Sequence, residues 1–581
     1  MGIRVEKDVR VPMRDGVTLA TDLWIPEGGP APTLLVRLPY GKDTLLQGAF
    51  AAQTNPEIFA LLEAGYAVVW QDCRGSFRSP GEFTPFVNEP HDGADTIAWL
   101  RQQPWCDGAI GTYGPSYLGF TQWASASQAP EGLRAIVPTV TTTDYYRAPW
   151  YSDGGALSWH TVLFWTTMMA LYAEKNALAA GAGDPTILMD VVGLLSDPRP
   201  QLDKLPVSDQ PLITKLMPWW SDWIRHPDRD MYWQDVAVAE NFDKITVPAL
   251  HIGGWFDLFV NDTVRSYTRM KNEGGSIEAR EGQRLLIGPW DHICTDGVYP
   301  DRQFGITAPP AASEITDVHI RFYDRWLRGR TDALADTAPV RIFVMGIDQW
   351  RDEQDWPLID TQYTEYFLDS DGHAHTSSGD GLLSAERPTR EAVDTYSYDP
   401  ANPVPSIGGR VMLPAAIKGA GPADQRSVES RDDVLCFTTP ELDDAVEVTG
   451  HISLILHVSS SARDTDFTGK LVDVFPDGRA LYLTDGIMRA RYRNSLADPE
   501  SLEPEKVYEI TLDLSVTSNV FLPGHRIRLE VSSSNFPRYD RNTNTGGVIA
   551  EDTNQACVVA VNRILHGPNY PSRLILPIIR R

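Results

Sequence analysis

The sequence predicts a three-part molecule: an α/β domain built on a mainly parallel sheet, a helical segment inserted into it, and a C-terminal all-β sandwich. Three observations predict it. Between Thr33 and Pro138 short β-branched runs alternate with helix-like stretches; from about Tyr145 the texture becomes Trp- and Met-rich at helical spacing; beyond Trp356 alternating segments sit between Pro, Gly, Asp and Asn turns. A chain of 581 residues exceeds what one core supports, since single cores stop growing near ~250–300 residues, so two or three domains are expected.

Taken in order, Asp15-Gly16 forms a hairpin turn between the strand formers Val9 to Met13 and Val17 to Trp24. Thr33 to Val36 and Tyr66 to Trp70 read as buried strands, with Pro56 to Ala64 as a helix between them. The pattern recurs as helix Asp92 to Gln102, strand Ile110 to Tyr113, helix Ser116 to Gln128 and strand Arg134 to Pro138, which argues for a parallel sheet covered on both faces. The insertion shows helical spacing in Trp159, Leu163, Thr166 and Met169, and again around Trp219, Trp220 and Trp223. Strands Val247 to Ile252 and Leu285 to Ile287, helix Glu314 to Leu327 and strand Val340 to Met345 re-enter the first sheet. His451 to His457, Glu509 to Leu514 and Ile527 to Ser532 carry the period-two signal of the β-region. Asp399 to Gly421 reads as a long structured loop. The expected division is 1–144 and 241–354 for the α/β domain, 145–240 for the insertion and 355–581 for the β-domain.

Composition narrows the function. A formal net charge of −27 repels phosphate backbones, so no nucleic-acid partner is expected. No stretch approaches the ~20 apolar residues of a membrane span, and Met1-Gly2-Ile3-Arg4-Val5-Glu6 lacks the apolar run of a signal peptide, which predicts a cytoplasmic protein with no membrane partner. The five cysteines are scattered without paired metal spacing, so neither disulfides nor a metal site is expected, and no cofactor motif is present.

Chemistry enters at Gly114-Pro115-Ser116-Tyr117-Leu118-Gly119, where a strand passes through a tight turn into a helix. That context makes a nucleophile elbow, which lifts a Ser hydroxyl above the sheet edge and admits only small neighbours. The second Gly follows Ser116 by three positions where the common form has two. A serine needs a base to take its proton and an acid to hold that base, and in α/β-hydrolases these follow in the order Ser, Asp/Glu, His. Asp257 ends the strand-and-turn sequence Pro248 to Phe256, and His292 lies in the exit loop of Arg284 to Ile287. Asp291 and Asp262 are the nearest competitors for the acid. Among 12 histidines, His251 falls inside a strand, His91 heads a helix, and His451, His457 and His525 fall in the β-region. The backbone N–H of Tyr117 supplies one oxyanion donor, and the Tyr40 hydroxyl, in the loop after the third strand, is a candidate for the second.

With these residues in view, the chain resembles cocaine-esterase-like enzymes of the X-Pro dipeptidyl-peptidase-like and α-amino acid ester hydrolase family. The resemblance runs through Pro12 to Val17, Gly114 to Gly119, Tyr146 to Trp150, Gly288 to Trp290, Val344 to Asp348 and Phe521 to Arg526. It implies an α/β-hydrolase fold with an inserted helical domain and a C-terminal jelly-roll-like domain, a serine esterase activity on small aromatic or hydrophobic acyl esters, and a homodimer. It also implies the elbow form with the late Gly, Tyr40 as oxyanion donor, and an acyl pocket walled by Trp150, Trp165 and Phe259. By a looser alignment Met412 and Leu413 stand where the family has Leu and Phe. Met is flexible and Leu lacks a ring face, so acyl groups other than benzoyl are expected to fit. Two other readings differ in their demands. An X-Pro peptidase or α-amino acid ester hydrolase or acyltransferase needs a carboxylate for the substrate ammonium, for which Asp291 is a candidate. A non-catalytic carbohydrate binder needs no serine, acid or base at all.

Overall fold

The computed structural model describes residues 2–45, 54–413 and 418–581. The chain opens with an antiparallel hairpin, β1 (Ile3–Pro12) and β2 (Thr18–Pro26), closed at Asp15-Gly16 by a Gly16 N–H to Met13 carbonyl bond of 2.9 Å. It continues through β3 (Ala31–Leu38), β4 (Ala67–Asp72), β5 (Cys106–Pro115), β6 (Leu133–Thr139), β7 (Leu250–Gly254), β8 (Arg284–Gly288), β9 (Val340–Val344) and β10 (Gln349–Glu353). These ten strands form one sheet in the order β1-β2-β4-β3-β5-β6-β7-β8-β9-β10. The run from β4 to β9 is parallel, and antiparallel strands finish both edges.

The helices that bear on the site are α1 (Ile58–Glu63), α2 (Glu89–Arg101), α3 (Tyr117–Ala126), α4 (Trp159–Ala179), α5 (Val260–Glu273) and α6 (Ile315–Trp326). Period-two alternation along the strands sends Leu34, Val36, Val68, Ala135 and Val137 into a core shared with α1 and α6. Their neighbours Leu35, Val69 and Ile136 face α2 and α3 on the other side. Both faces are therefore dry, which is why these strands read as continuous apolar runs. The edge strand β10 escaped the sequence reading because Gln349-Trp350-Arg351-Asp352-Glu353 carries the charges that protect an exposed edge.

Between β6 and β7 lies the helical segment, with α4 its longest element and Trp159, Trp165, Trp220, Trp223 and Trp233 buried. These side chains belong to the same hydrophobic cluster as α2 and α3, so the insertion is seated on the sheet's helices and not tethered beside them. From Gln362 onward the described residues build an eleven-stranded sheet, antiparallel among them except for one pairing of Leu382 with Thr438. The longest strands, Val446–Ser460 and Tyr508–Phe521, pair with each other and bury Ile452, Leu454, Leu456 and Val458 on one face. The predicted segments His451 to His457, Glu509 to Leu514 and Ile527 to Ser532 all lie in strands of this sheet. Its core is continuous with β8 and β9, and Met345 pairs with Asn519 across the junction, its N–H donating to the Ser518 carbonyl at 3.0 Å.

Candidate active site

Ser116 sits where β5 ends and α3 begins, with φ 59° and ψ −126°, a conformation rare for any residue bearing a Cβ. The strain is held by backbone bonds: Ser116 N–H donates to the Thr139 carbonyl at 2.9 Å, and its own carbonyl accepts from the amides of Gly119 and Phe120. Two glycines make room for the turn. A Cβ on Gly114 would lie 2.7 Å from the Leu118 Cβ, at a φ of +131°. A Cβ on Gly119 would lie 2.5 Å from the Thr141 methyl, while the Thr141 hydroxyl donates to the Ser116 carbonyl at 2.7 Å. The late second glycine thus follows from Thr141, which packs on the helix at the third position after the serine.

The loops after β5, β7 and β8 converge on the serine. His292 Nε2 lies 3.1 Å from Ser116 Oγ, and His292 Nδ1 lies 2.6 Å from Asp257 Oδ1. Ser116 is half-buried, while Asp257 is fully buried and His292 is buried to within 2% exposure, so bulk water does not screen the contact between imidazole and carboxylate. The second Asp257 oxygen accepts the Phe259 amide at 2.8 Å, which fixes the carboxylate plane.

The competitors are engaged elsewhere. Asp291 turns back on its own loop, its Oδ1 accepting the amides of Ile293 and Cys294 at 2.7 and 2.6 Å; burial pushes its carboxyl up to about 6 against the pull of those amides. Asp262 Oδ2 accepts from the Thr142 hydroxyl and the Thr143 amide, and Arg265 pairs with its other oxygen. His251 lies in β7, bonded to Gln283 at 2.7 Å, and burial holds it down to about 4.

Two donors stand beside the serine. The Tyr117 N–H opens α3 and, like every first-turn amide, has no intrahelical acceptor; the helix macrodipole adds partial positive charge there. The Tyr40 hydroxyl is in hydrogen-bonding contact with Ser116 and accepts the Trp165 indole N–H at 2.9 Å. Burial raises the Tyr40 hydroxyl well above its ordinary value, so it stays a neutral donor. Below the elbow the Tyr117 side chain is anchored, its hydroxyl 3.1 Å from Glu89, which pairs with buried Arg37 at 2.8 Å.

Trp150, Trp165 and Phe259 meet in one aromatic cluster. The Trp150 and Trp165 rings lie 5.3 Å apart, and the Phe259 ring is 5.4 Å from the His292 ring. Sequence reasoning missed Tyr145, which bridges Trp150 at 5.5 Å to Phe259 at 6.4 Å, and Phe86, stacked on Tyr145 at 3.9 Å. Met412 is buried and Leu413 half-buried, and among the described residues neither belongs to the hydrophobic cluster that holds Trp150, Trp165 and Phe259. Among the described residues no group of His, Cys, Asp or Glu is arranged to hold a metal ion. A half-buried serine bonded to a histidine, a histidine bonded to a buried carboxylate and two donors beside the serine are the components of acyl transfer.

Comparison with known proteins follows the same line. The profile of the X-Pro dipeptidyl-peptidase (S15 family) matches residues 15–294, and that of the X-Pro dipeptidyl-peptidase C-terminal non-catalytic domain matches residues 332–575. The cocaine esterase of Rhodococcus sp. (strain MB1 Bresler) is 48% identical over 579 residues, 99% of this chain and 99% of its own. The solved structure of an α-amino acid ester hydrolase superposes with a TM-score of 0.82 at 26% identity, covering 99% of this chain and 96% of that one. An aminopeptidase from the marine sediment archaeon Thaumarchaeota archaeon gives a TM-score of 0.81 at 26% identity, covering 100% of this chain and 97% of its own.

Proposed function

This chain belongs to the X-Pro dipeptidyl-peptidase (S15) family, and from that premise we propose that it is a serine carboxylesterase acting on small esters with aromatic or hydrophobic acyl groups through an acyl-enzyme on Ser116. The observation that carries the proposal is the hydrogen-bonded line from Ser116 through His292 to Asp257, with the serine held in a strained turn. His292 Nε2 takes the serine proton as Oγ attacks the ester carbonyl carbon. Asp257 holds the proton on Nδ1 and stabilises the imidazolium that forms. The oxyanion of the tetrahedral intermediate accepts from the Tyr40 hydroxyl and the Tyr117 N–H, and collapse expels the alcohol, which takes its proton from His292. Water, deprotonated by His292, then cleaves the acyl-enzyme, and the serine recovers its proton.

Trp150, Trp165 and Phe259 are read as acyl-pocket walls, and Met412 and Leu413 as a fourth wall contributed by the β-domain. The divisions 1–144 with 241–354, 145–240 and 355–581, the jelly-roll-like form of the last, a homodimer and a cytoplasmic location complete the proposal. No helix among the described residues is long and apolar enough to cross a membrane. Steady-state comparison of phenyl acetate, phenyl benzoate, an α-amino acid ester and an X-Pro anilide tests the substrate class. The aryl esters should turn over best; a higher kcat/KM for the anilide would move the assignment to the peptidases.

A further inference from the structure

We propose that Trp165 is a positioning residue for the oxyanion site: its indole N–H fixes the direction in which the Tyr40 hydroxyl donates. The inference rests on the esterase reading of Ser116 and Tyr40 and goes beyond Trp165 as a pocket wall. An indole N–H can only donate, and a carboxylate can only accept. Between them lies one chain of contacts: Trp165 Nε1 to the Tyr40 hydroxyl at 2.9 Å, the Tyr40 hydroxyl to Ser116, Ser116 Oγ to His292 Nε2 at 3.1 Å, and His292 Nδ1 to Asp257 at 2.6 Å. A donor-only group at one end and an acceptor-only group at the other leave one consistent assignment of protons. Trp165 donates to Tyr40, Tyr40 to Ser116, Ser116 to His292, and His292 to Asp257.

The assignment has a catalytic consequence. With one lone pair of the Tyr40 oxygen taken by the indole, its proton points away from Trp165 and toward the reacting oxygens. When Ser116 Oγ bonds to the carbonyl carbon, its proton is on His292 and the Tyr40 proton turns to the oxyanion forming beside it. Only a small rotation of the hydroxyl is then required, and donation along the chain polarises each link. Trp165 is placed for this by packing on several sides: its ring lies 6.1 Å from that of Tyr117 at an interplanar angle of 13°, and 5.7 Å from Trp219. It is 4% exposed, so water does not replace the indole as donor without a rearrangement of this cluster.

The test separates this role from wall packing. Trp165 is replaced by Phe, and in a second protein by β-(benzothiophen-3-yl)alanine through codon reassignment, which keeps the bicyclic ring and removes only the N–H. Each replacement is made in the natural chain and in the Tyr40→Phe variant. Phenyl acetate is the substrate, because a methyl acyl group leaves the aromatic walls largely untouched. Both replacements should lower kcat roughly tenfold with little change in KM, a part of the about 10² to 10³ that outright loss of an oxyanion donor costs. In the Tyr40→Phe background they should change kcat by less than about twofold, the limit for uncoupled sites. Equal losses in the two backgrounds, or full activity of the benzothienyl protein with Tyr40 present, would overturn the proposal. A Tyr40→Phe variant with unchanged kcat would instead strike at the oxyanion reading on which it rests, and an inactive natural chain at the esterase reading itself.

Discussion

Replacing Asp257 by Asn changes one oxygen of a fully buried carboxylate into an amide nitrogen, and the surroundings decide which one. In the natural chain both oxygens accept, Oδ1 from His292 Nδ1 at 2.6 Å and Oδ2 from the Phe259 amide at 2.8 Å. Asparagine offers a single acceptor. If it faced His292, the amide NH₂ would confront the Phe259 N–H in a site with 0% exposure, and two buried donors would go unpaired at about 1–3 kcal/mol each. The favoured orientation therefore turns the oxygen to Phe259 and the NH₂ to His292. That NH₂ donates to Nδ1, drives the histidine proton to Nε2 and leaves nothing to accept the Ser116 proton. A wrong-tautomer histidine of this kind costs a factor of about 10⁴ in kcat, or roughly 5.4 kcal/mol of barrier. Because every group in the favoured orientation is paired, the melting temperature should scarcely move. Single-turnover and steady-state hydrolysis of 4-nitrophenyl acetate, read beside thermal unfolding, measure both. Retention of kcat within about tenfold, or a larger loss in Asp291→Asn, would refute the assignment of the acid.

Three further outcomes follow from the same geometry. Tyr40→Phe should lower kcat by about 10² to 10³ while KM changes little, since the lost donor serves charge that develops only in the transition state, and should cost about 1–3 kcal/mol of stability because the buried Trp165 N–H loses its acceptor; steady-state kinetics with phenyl acetate and thermal unfolding check it. Gly119→Ala should cost about 1–3 kcal/mol in denaturant unfolding and lower activity, because its methyl would displace Thr141, whose hydroxyl bonds the Ser116 carbonyl; a fully stable, fully active variant contradicts this packing. Asp291 ionises in the folded chain only at about 6, against an ordinary value of 3.8. Between these values the folded state holds a proton that the unfolded state has released, so this group's contribution to stability falls as pH rises through the window. Asp291→Asn should therefore gain melting temperature relative to the natural chain at about pH 7.5 compared with about pH 4, and an equal difference at both would contradict the buried-acid account.

The parallel sheet was legible because its strands are buried on both faces, so Thr33 to Val36 and Arg134 to Pro138 stand out as apolar runs between helices. Asp257 and His292 could be put forward from the sequence as well, since chain order and strand ends are sequence properties. What pairs them is not. The Phe259 amide on Asp257 and the Trp165 indole on Tyr40 are contacts between segments that the sequence holds apart, and nothing in the local text of either partner announces them. The late glycine of the elbow could be noticed in the sequence but explained only by Thr141, which arrives from the far end of β6. Strand β10 was invisible for the opposite reason, its charges suiting an exposed edge and a loop equally. Met412 and Leu413 rest on alignment alone, in a loop interrupted by residues 414–417, which lie outside the described residues.

The central claim is that chemistry passes through a covalent bond to Ser116 Oγ. The natural chain is mixed with 4-nitrophenyl acetate in a stopped-flow instrument, quenched in acid within the first turnover, and its peptides are examined by mass spectrometry. The account predicts an acetyl group on the peptide that carries Ser116, and on no other, with its amount rising at the rate of the first 4-nitrophenol released. In Ser116→Ala both the adduct and the release should fall to the level of the residual, oxyanion-assisted reaction. Full turnover with no adduct on that peptide, or an adduct formed on another residue at the same rate in Ser116→Ala, would contradict it.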